Sequence, residues 1–96
     1  MTLHLLNRSP QSEGVYRDLR EAFGDGDHLL LIEDGCYAAL SSGRDAVAAF
    51  AGRVSVLKED LVSRGLEGRV DGAIEVVDMQ GFVDLTEIHQ RSVSWF

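Results

Sequence analysis

The sequence predicts a small single-domain α/β protein, a mostly parallel β-sheet with helices on both faces. Three observations carry this prediction. Strand-like and helix-like segments alternate along the chain, an order that favours parallel strands joined by helical crossovers. His28-Leu29-Leu30-Leu31-Ile32 is apolar without alternation, as strands covered on both faces are. The length, 96 residues, suits one domain spanning 1–96. A chain this short buries only roughly two thirds of its unfolded surface, so association with other subunits would add useful burial.

The elements follow in order. Leu3-His4-Leu5-Leu6 reads as the first strand, ended by Asn7-Arg8-Ser9-Pro10. Ser9 followed by Pro10 predicts a helix start, a capping hydroxyl before a proline that needs no N–H. Val15, Leu19, Ala22 and Phe23 then recur on one helical face, and Gly24-Asp25-Gly26-Asp27 ends that helix. His28–Ile32 is the second strand. After Glu33-Asp34-Gly35, the stretch Cys36–Leu40 predicts a short helical turn opened by Cys36. Asp45–Ala51 reads as an Ala-rich helix closed by Gly52, and Arg53–Leu57 as the third strand. Glu59–Arg64 is a brief helix, with Gly65 just past its end. Ala73–Val77 is the fourth strand. Asp78 caps a helix carrying Phe82, Leu85, Thr86 and His89, and Ser92–Phe96 is the fifth strand.

Composition narrows the function. Sixteen acids against nine bases give a net charge of −7. The bases are scattered, whereas a protein that grips a nucleic-acid backbone presents a basic face; direct nucleic-acid contact is therefore not expected. An anionic membrane surface is disfavoured for the same reason, and the longest apolar run, Leu29–Ile32, is too short to span a bilayer. Met1 leads straight into a strand-like segment without the pattern of a secretory signal, so the expected compartment is the cytoplasm. With one cysteine there is no internal disulfide and no Cys-rich zinc site.

Ligands of open α/β sheets gather at the carboxyl ends of strands. Here those ends are Asn7-Arg8-Ser9, Glu33-Asp34-Gly35-Cys36-Tyr37, Lys58-Glu59-Asp60 and Asp78. Cys36 follows a strand and is expected to open a helix, where amide groups and the helix dipole favour a thiolate. It is thus a candidate nucleophile or persulfide carrier. The competing reading is a small buried residue, which neighbours Ala38, Ala39 and Leu40 favour. Glu33, Asp34, Glu59, Asp60 and Asp78 offer oxygen ligands for a cation, but acids at these places more often serve as helix caps. His4, His28 and His89 show no ligand spacing, and neither a P-loop nor a nucleophile elbow is present. Leu30–Asp34 is similar to the acidic strand end of a receiver domain, yet it falls on the second strand and no phosphoacceptor follows. Trp95-Phe96 suits either a core edge strand or an anchor in a subunit interface.

The same residues resemble a known family. Leu3–Pro10 is similar to the start of the DsrH/TusB family. Leu29–Leu40, containing Glu33-Asp34-Gly35-Cys36-Tyr37-Ala38-Ala39, resembles its L-L-x-x-[ED]-D-G-[VI]-Y-A-A core. Glu59–Leu66 is similar to its D-L-x-A-R-G-L segment, and Asp78–Leu85 and Trp95 also fit. The resemblance covers essentially the whole chain. It implies a DsrEFH-like fold and a cytoplasmic hetero-oligomer with two related small subunits, TusC/TusD-like or DsrE/DsrF-like, that relays persulfide sulfur. In the TusBCD branch the sulfur ends in 2-thiouridine at the tRNA wobble position; in the Dsr branch it serves sulfur oxidation. Some DsrH members carry a redox cysteine in the first helix. The matching stretch here, Arg17-Asp18-Leu19, has none, and Cys36 stands at the [VI] place. The resemblance therefore leans to the TusB type, whose subunit lacks a catalytic thiol. No catalytic residue is expected apart from the candidate Cys36, and no cofactor or metal is expected. Asp34, Tyr37, Trp95 and Phe96 are the residues expected to face partners, with homo-oligomerisation as the alternative for the chain alone.

Overall fold

A computed structural model describes the whole chain, Met1–Phe96. The strands are β1 (Thr2–Leu6), β2 (His28–Leu31), β3 (Val54–Leu57), β4 (Glu75–Val77) and β5 (Arg91–Trp95). The α-helices are α1 (Glu13–Ala22), α2 (Arg44–Val47), α3 (Lys58–Ser63) and α4 (Met79–Ile88). The strands form one sheet in the order β4-β3-β2-β1-β5, and every neighbouring pair is parallel. Parallel strands cannot be joined by tight hairpins, which is why a helical segment separates each strand from the next.

Side chains alternate across a strand, and the alternation sorts the core into two layers. Leu6, Leu29, Leu31, Val54 and Val56 face one side, where they pack with Tyr16 and Leu19 of α1, Val47 of α2 and Leu61 of α3. Leu3, Leu30, Ile32 and Leu57 face the other side, against Phe82 and Leu85 of α4. The unbroken apolar run of β2 thus serves both faces at once, as its sequence predicts. No helix is long and apolar enough to cross a membrane.

Several boundaries differ from the sequence expectation. The first helix begins at Glu13, and Ser9–Ser12 form a turn closed by the Ser12 N–H donating to the Ser9 carbonyl (3.0 Å). A residue before proline avoids the helical region, so Ser9-Pro10 make a turn ahead of the helix. The inward face of α1 is Val15, Tyr16 and Leu19, continued by Phe23 just past its end, while Ala22 is exposed. Tyr16 sets this rotation by donating its hydroxyl to the Arg8 carbonyl (2.7 Å). The segment from Glu33 to Ala39 is a 3-10 helix, as are Ser41–Gly43 and Ala48–Phe50, so α2 is a single turn. Two signals fall as predicted. Gly65 closes α3 at φ 68°, and the Asp78 carboxylate accepts from the Gly81 N–H (2.9 Å) at the start of α4.

Candidate functional site

The carboxyl end of β2 is built around Gly35. A Cβ there would lie 2.2 Å from the Leu6 carbonyl oxygen, so only glycine lets the chain pass beneath the end of β1. Just before it, Glu33 holds a left-handed conformation (φ 49°), strained for a residue with a side chain. The Asp60 carboxylate holds that turn by accepting from the Glu33 N–H (2.7 Å).

This geometry corrects the expected place of Cys36. The residue does not open a helix. The 3-10 segment begins at Glu33, and its first N–H is already taken by Asp60. Cys36 sits deeper, fully buried in the core with Ala38 and Ala39. Burial, followed by the charge of Asp60, pushes its thiol up to about 12, with Arg64 pulling the other way. At neutral pH the group is a thiol rather than the thiolate that nucleophilic sulfur chemistry requires.

Two of the other sequence candidates come together. Asp34 and Tyr37 line an open cleft of about 620 Å³ with Ser9, Pro10 and Ser42. Tyr37 is 40% exposed, and Asp34 accepts from the Arg64 guanidinium (3.2 and 3.3 Å). The cleft joins the turn after β1 to the segment after β2, at the sheet end where ligands of open α/β sheets gather. Trp95 and Phe96 are not part of it. Trp95 lies across β1, paired in register with Leu6, and is half-buried against the main core. Phe96 beyond it is exposed.

The acids at the strand ends do not converge. Asp60 accepts from Glu33, Glu59 from the Met79 N–H (3.1 Å) and Asp78 from the Gly81 N–H (2.9 Å). They act as backbone caps. No three His, Cys, Asp or Glu side chains are grouped as a metal's ligands would be.

Sequence reading missed one buried polar chain. His4, 3% exposed, lies between Trp95 and Asp27. The indole N–H donates to His4 Nδ1 (3.0 Å). That nitrogen must therefore be the bare one, so His4 Nε2 carries the proton and donates to Asp27 (2.9 Å). Asp27 also accepts from the Thr2 and Gly24 amides (2.9 Å each). Burial acts to raise the Asp27 carboxyl, but the bonds from His4, Gly24 and Thr2 outweigh it and hold it at about 2. The available signal was the alternation of β1, which turns Thr2, His4 and Leu6 to one face.

Comparison with known proteins agrees with this architecture. The family model described as DsrH like protein matches residues 8–92. Protein TusB from Enterobacter sp. (strain 638) is 41% identical over 98 residues, spanning 97% of this chain and 99% of that protein. Protein TusB from Escherichia coli O1:K1 / APEC is 38% identical over 95 residues, with the same coverage. The solution NMR structure of protein Tm0979 from Thermotoga maritima superposes with a TM-score of 0.67, over 91% of this chain and 92% of that one, at 23% identity. That likeness speaks to the fold. The sequence matches, spanning nearly the full length of chain and relatives alike, carry the assignment: the chain belongs to the DsrH/TusB family.

Proposed function

We propose that this chain is a non-catalytic subunit of a sulfur-relay complex whose persulfide sulfur ends in 2-thiouridine at the tRNA wobble position. The observation that carries the reading is the state of the only cysteine. Cys36 is buried and protonated, α1 holds no cysteine, and the chain is similar along its length to proteins named TusB. In this reading the sulfur travels on a thiol of a sister subunit, and this domain positions that subunit. Its partners are two related small proteins in a cytoplasmic hetero-oligomer. The net charge of −7 suits contact with protein better than contact with tRNA. The Asp34–Tyr37 cleft and the exposed Phe96 are the surfaces offered to partners.

The test is complementation. A strain lacking this gene is supplied with Cys36→Val or Cys36→Ser, and its wobble 2-thiouridine is measured by nucleoside mass spectrometry. Undiminished thiolation is the expected result. Loss of thiolation with the complex still assembled would overturn the non-catalytic role and make Cys36 a sulfur carrier. A second reading, a DsrH-type subunit in sulfur oxidation, rests on the Dsr branch of the family that the matching model, DsrH like protein, represents. It predicts that deletion impairs sulfur oxidation and leaves tRNA thiolation intact.

A further inference from the structure

The helix α4 is loosely seated. None of its residues is fully buried, and its inward apolar side chains, Phe82 and Leu85, are half-buried over Leu3, Leu30, Ile32 and Leu57. The residue that follows it, His89, is only 8% exposed. Its Nδ1–H donates to the Leu85 carbonyl (2.8 Å), which ties the ring to the last turn of the helix. The ring lies 6.1 Å, centroid to centroid, from the ring of His28 on β2. His28 Nε2 is in turn 2.7 Å from the Ser55 hydroxyl on β3. Two histidines from distant parts of the chain thus face each other where the end of α4 meets the sheet.

We propose that His28 and His89 form an acid-sensitive clasp, which holds α4 on the sheet while the pair carries at most one proton and loosens it when both rings are charged. The surroundings favour this behaviour. On β1 the register partner of His28 is apolar Leu3; from β3 the uncharged Ser55 hydroxyl meets its ring, while Arg53, opposite His28 just before β3, lays its guanidinium over the Phe23 ring (4.7 Å). The charged groups acting on His28 are His89 and, from β4, Glu75. Burial first, then His89, depress the proton affinity of His28, and Glu75 opposes them without cancelling them. A second proton therefore places like charges side by side beneath the last turn of α4. The sign follows from linkage. His28 binds its proton more readily when α4 is detached, so docking is strongest above the ordinary histidine value of about 6.5 and weakens as pH falls below it. Release uncovers the apolar surface of Leu3, Leu30, Ile32 and Leu57. This device is independent of the sulfur-relay reading.

Amide hydrogen exchange of the whole protein tests it, with protection factors of α4 compared with those of α1 from pH 7.5 to pH 5. The α4 protection is expected to fall by up to about tenfold per pH unit below pH 6 for one linked proton, while α1 holds. His28→Gln and, separately, His89→Gln are expected to flatten that fall. Parallel loss in α4 and α1, a flat α4 profile, or an undiminished fall in either variant would overturn the proposal. Should a variant fail to fold, NMR titration of the wild-type rings decides: His28 titrating below His89 supports the clasp, and His28 titrating at or above the ordinary histidine value refutes it.

Discussion

Trp95 and His4 are hydrogen-bonded across 91 residues of sequence, the indole N–H donating to the ring Nδ1 at 3.0 Å. The bond fixes the tautomer of His4, directs its remaining N–H to Asp27 (2.9 Å), and stitches β5 to β1 and, through Asp27, to the turn before β2. Because β5 is otherwise exposed along Arg91–Ser94, this single contact matters to how firmly the edge strand is held.

Trp95→Phe keeps the aromatic body and removes the donor, leaving His4 Nδ1 without its partner. A loss of about 1–3 kcal/mol is expected, the cost of an unsatisfied buried polar atom. Urea unfolding followed by circular dichroism checks it, since Trp95 is the only tryptophan and the variant has no indole fluorescence.

Asp27 confers a pH dependence of its own. Its carboxyl sits at about 2 in the folded protein, against an ordinary value near 3.9. The stabilisation is therefore fully present above pH 4 and is lost as pH falls from about 4 through 2, on the order of 2 kcal/mol in all. Asp27→Asn is expected to lower stability at pH 7 and to flatten the acid limb. Denaturant midpoints measured between pH 6 and pH 2.5 compare the two profiles.

Gly35→Ala is expected to cost about 1–3 kcal/mol or more, as overpacking in a tight interior does, because the new methyl meets the Leu6 carbonyl oxygen. Adding the same methyl at Gly68, where it would meet nothing within 4 Å, is the control and should lie within about 0.5 kcal/mol of wild type. Thermal or urea denaturation of the pair tests the contrast.

Cys36 should behave as an inert core thiol. In the native protein, labelling by a thiol reagent at pH 8 is expected to be at least tenfold slower than in urea, because the thiol is both buried and shifted up to about 12. Cys36→Val should change stability by less than about 1.5 kcal/mol, as volume-conserving apolar swaps do. Rapid native labelling at one equivalent would contradict the burial.

What the sequence discloses and what it hides follow from the range of the interactions. The apolar run of β2, the Asp78 cap and the glycine after α3 are local signals, and each lies where expected. The α/β alternation survives in the all-parallel sheet for the same reason. The true position of Cys36 was not legible, because the start of the 3-10 segment that contains it is held by Asp60 and by the close pass of Gly35 under Leu6. Both partners are remote in sequence. His4 looked isolated because Asp27 and Trp95 reach it only after the sheet has formed. The cleft is a mixed case. Asp34 and Tyr37 stood out in the motif, but the Ser9-Pro10 wall of their cleft comes from a turn that the sequence had offered as a helix start.

The strand order has a kinetic consequence. β1 occupies the second place in the sheet, and one of its two neighbours is the distant β5, with Thr2 beside Arg91 and Leu6 beside Trp95. On a ribosome, β1 emerges early and then waits for most of the chain to be translated before that side is covered. Until then a nascent Leu3-His4-Leu5-Leu6 edge is open to pairing with other chains. Closing so long a loop is slow compared with forming the local β1–α1–β2 unit. The arrival of β5 is then the expected slow step of folding, and the Trp95 indole, entering its place beside His4, is the probe whose fluorescence checks it in a refolding experiment.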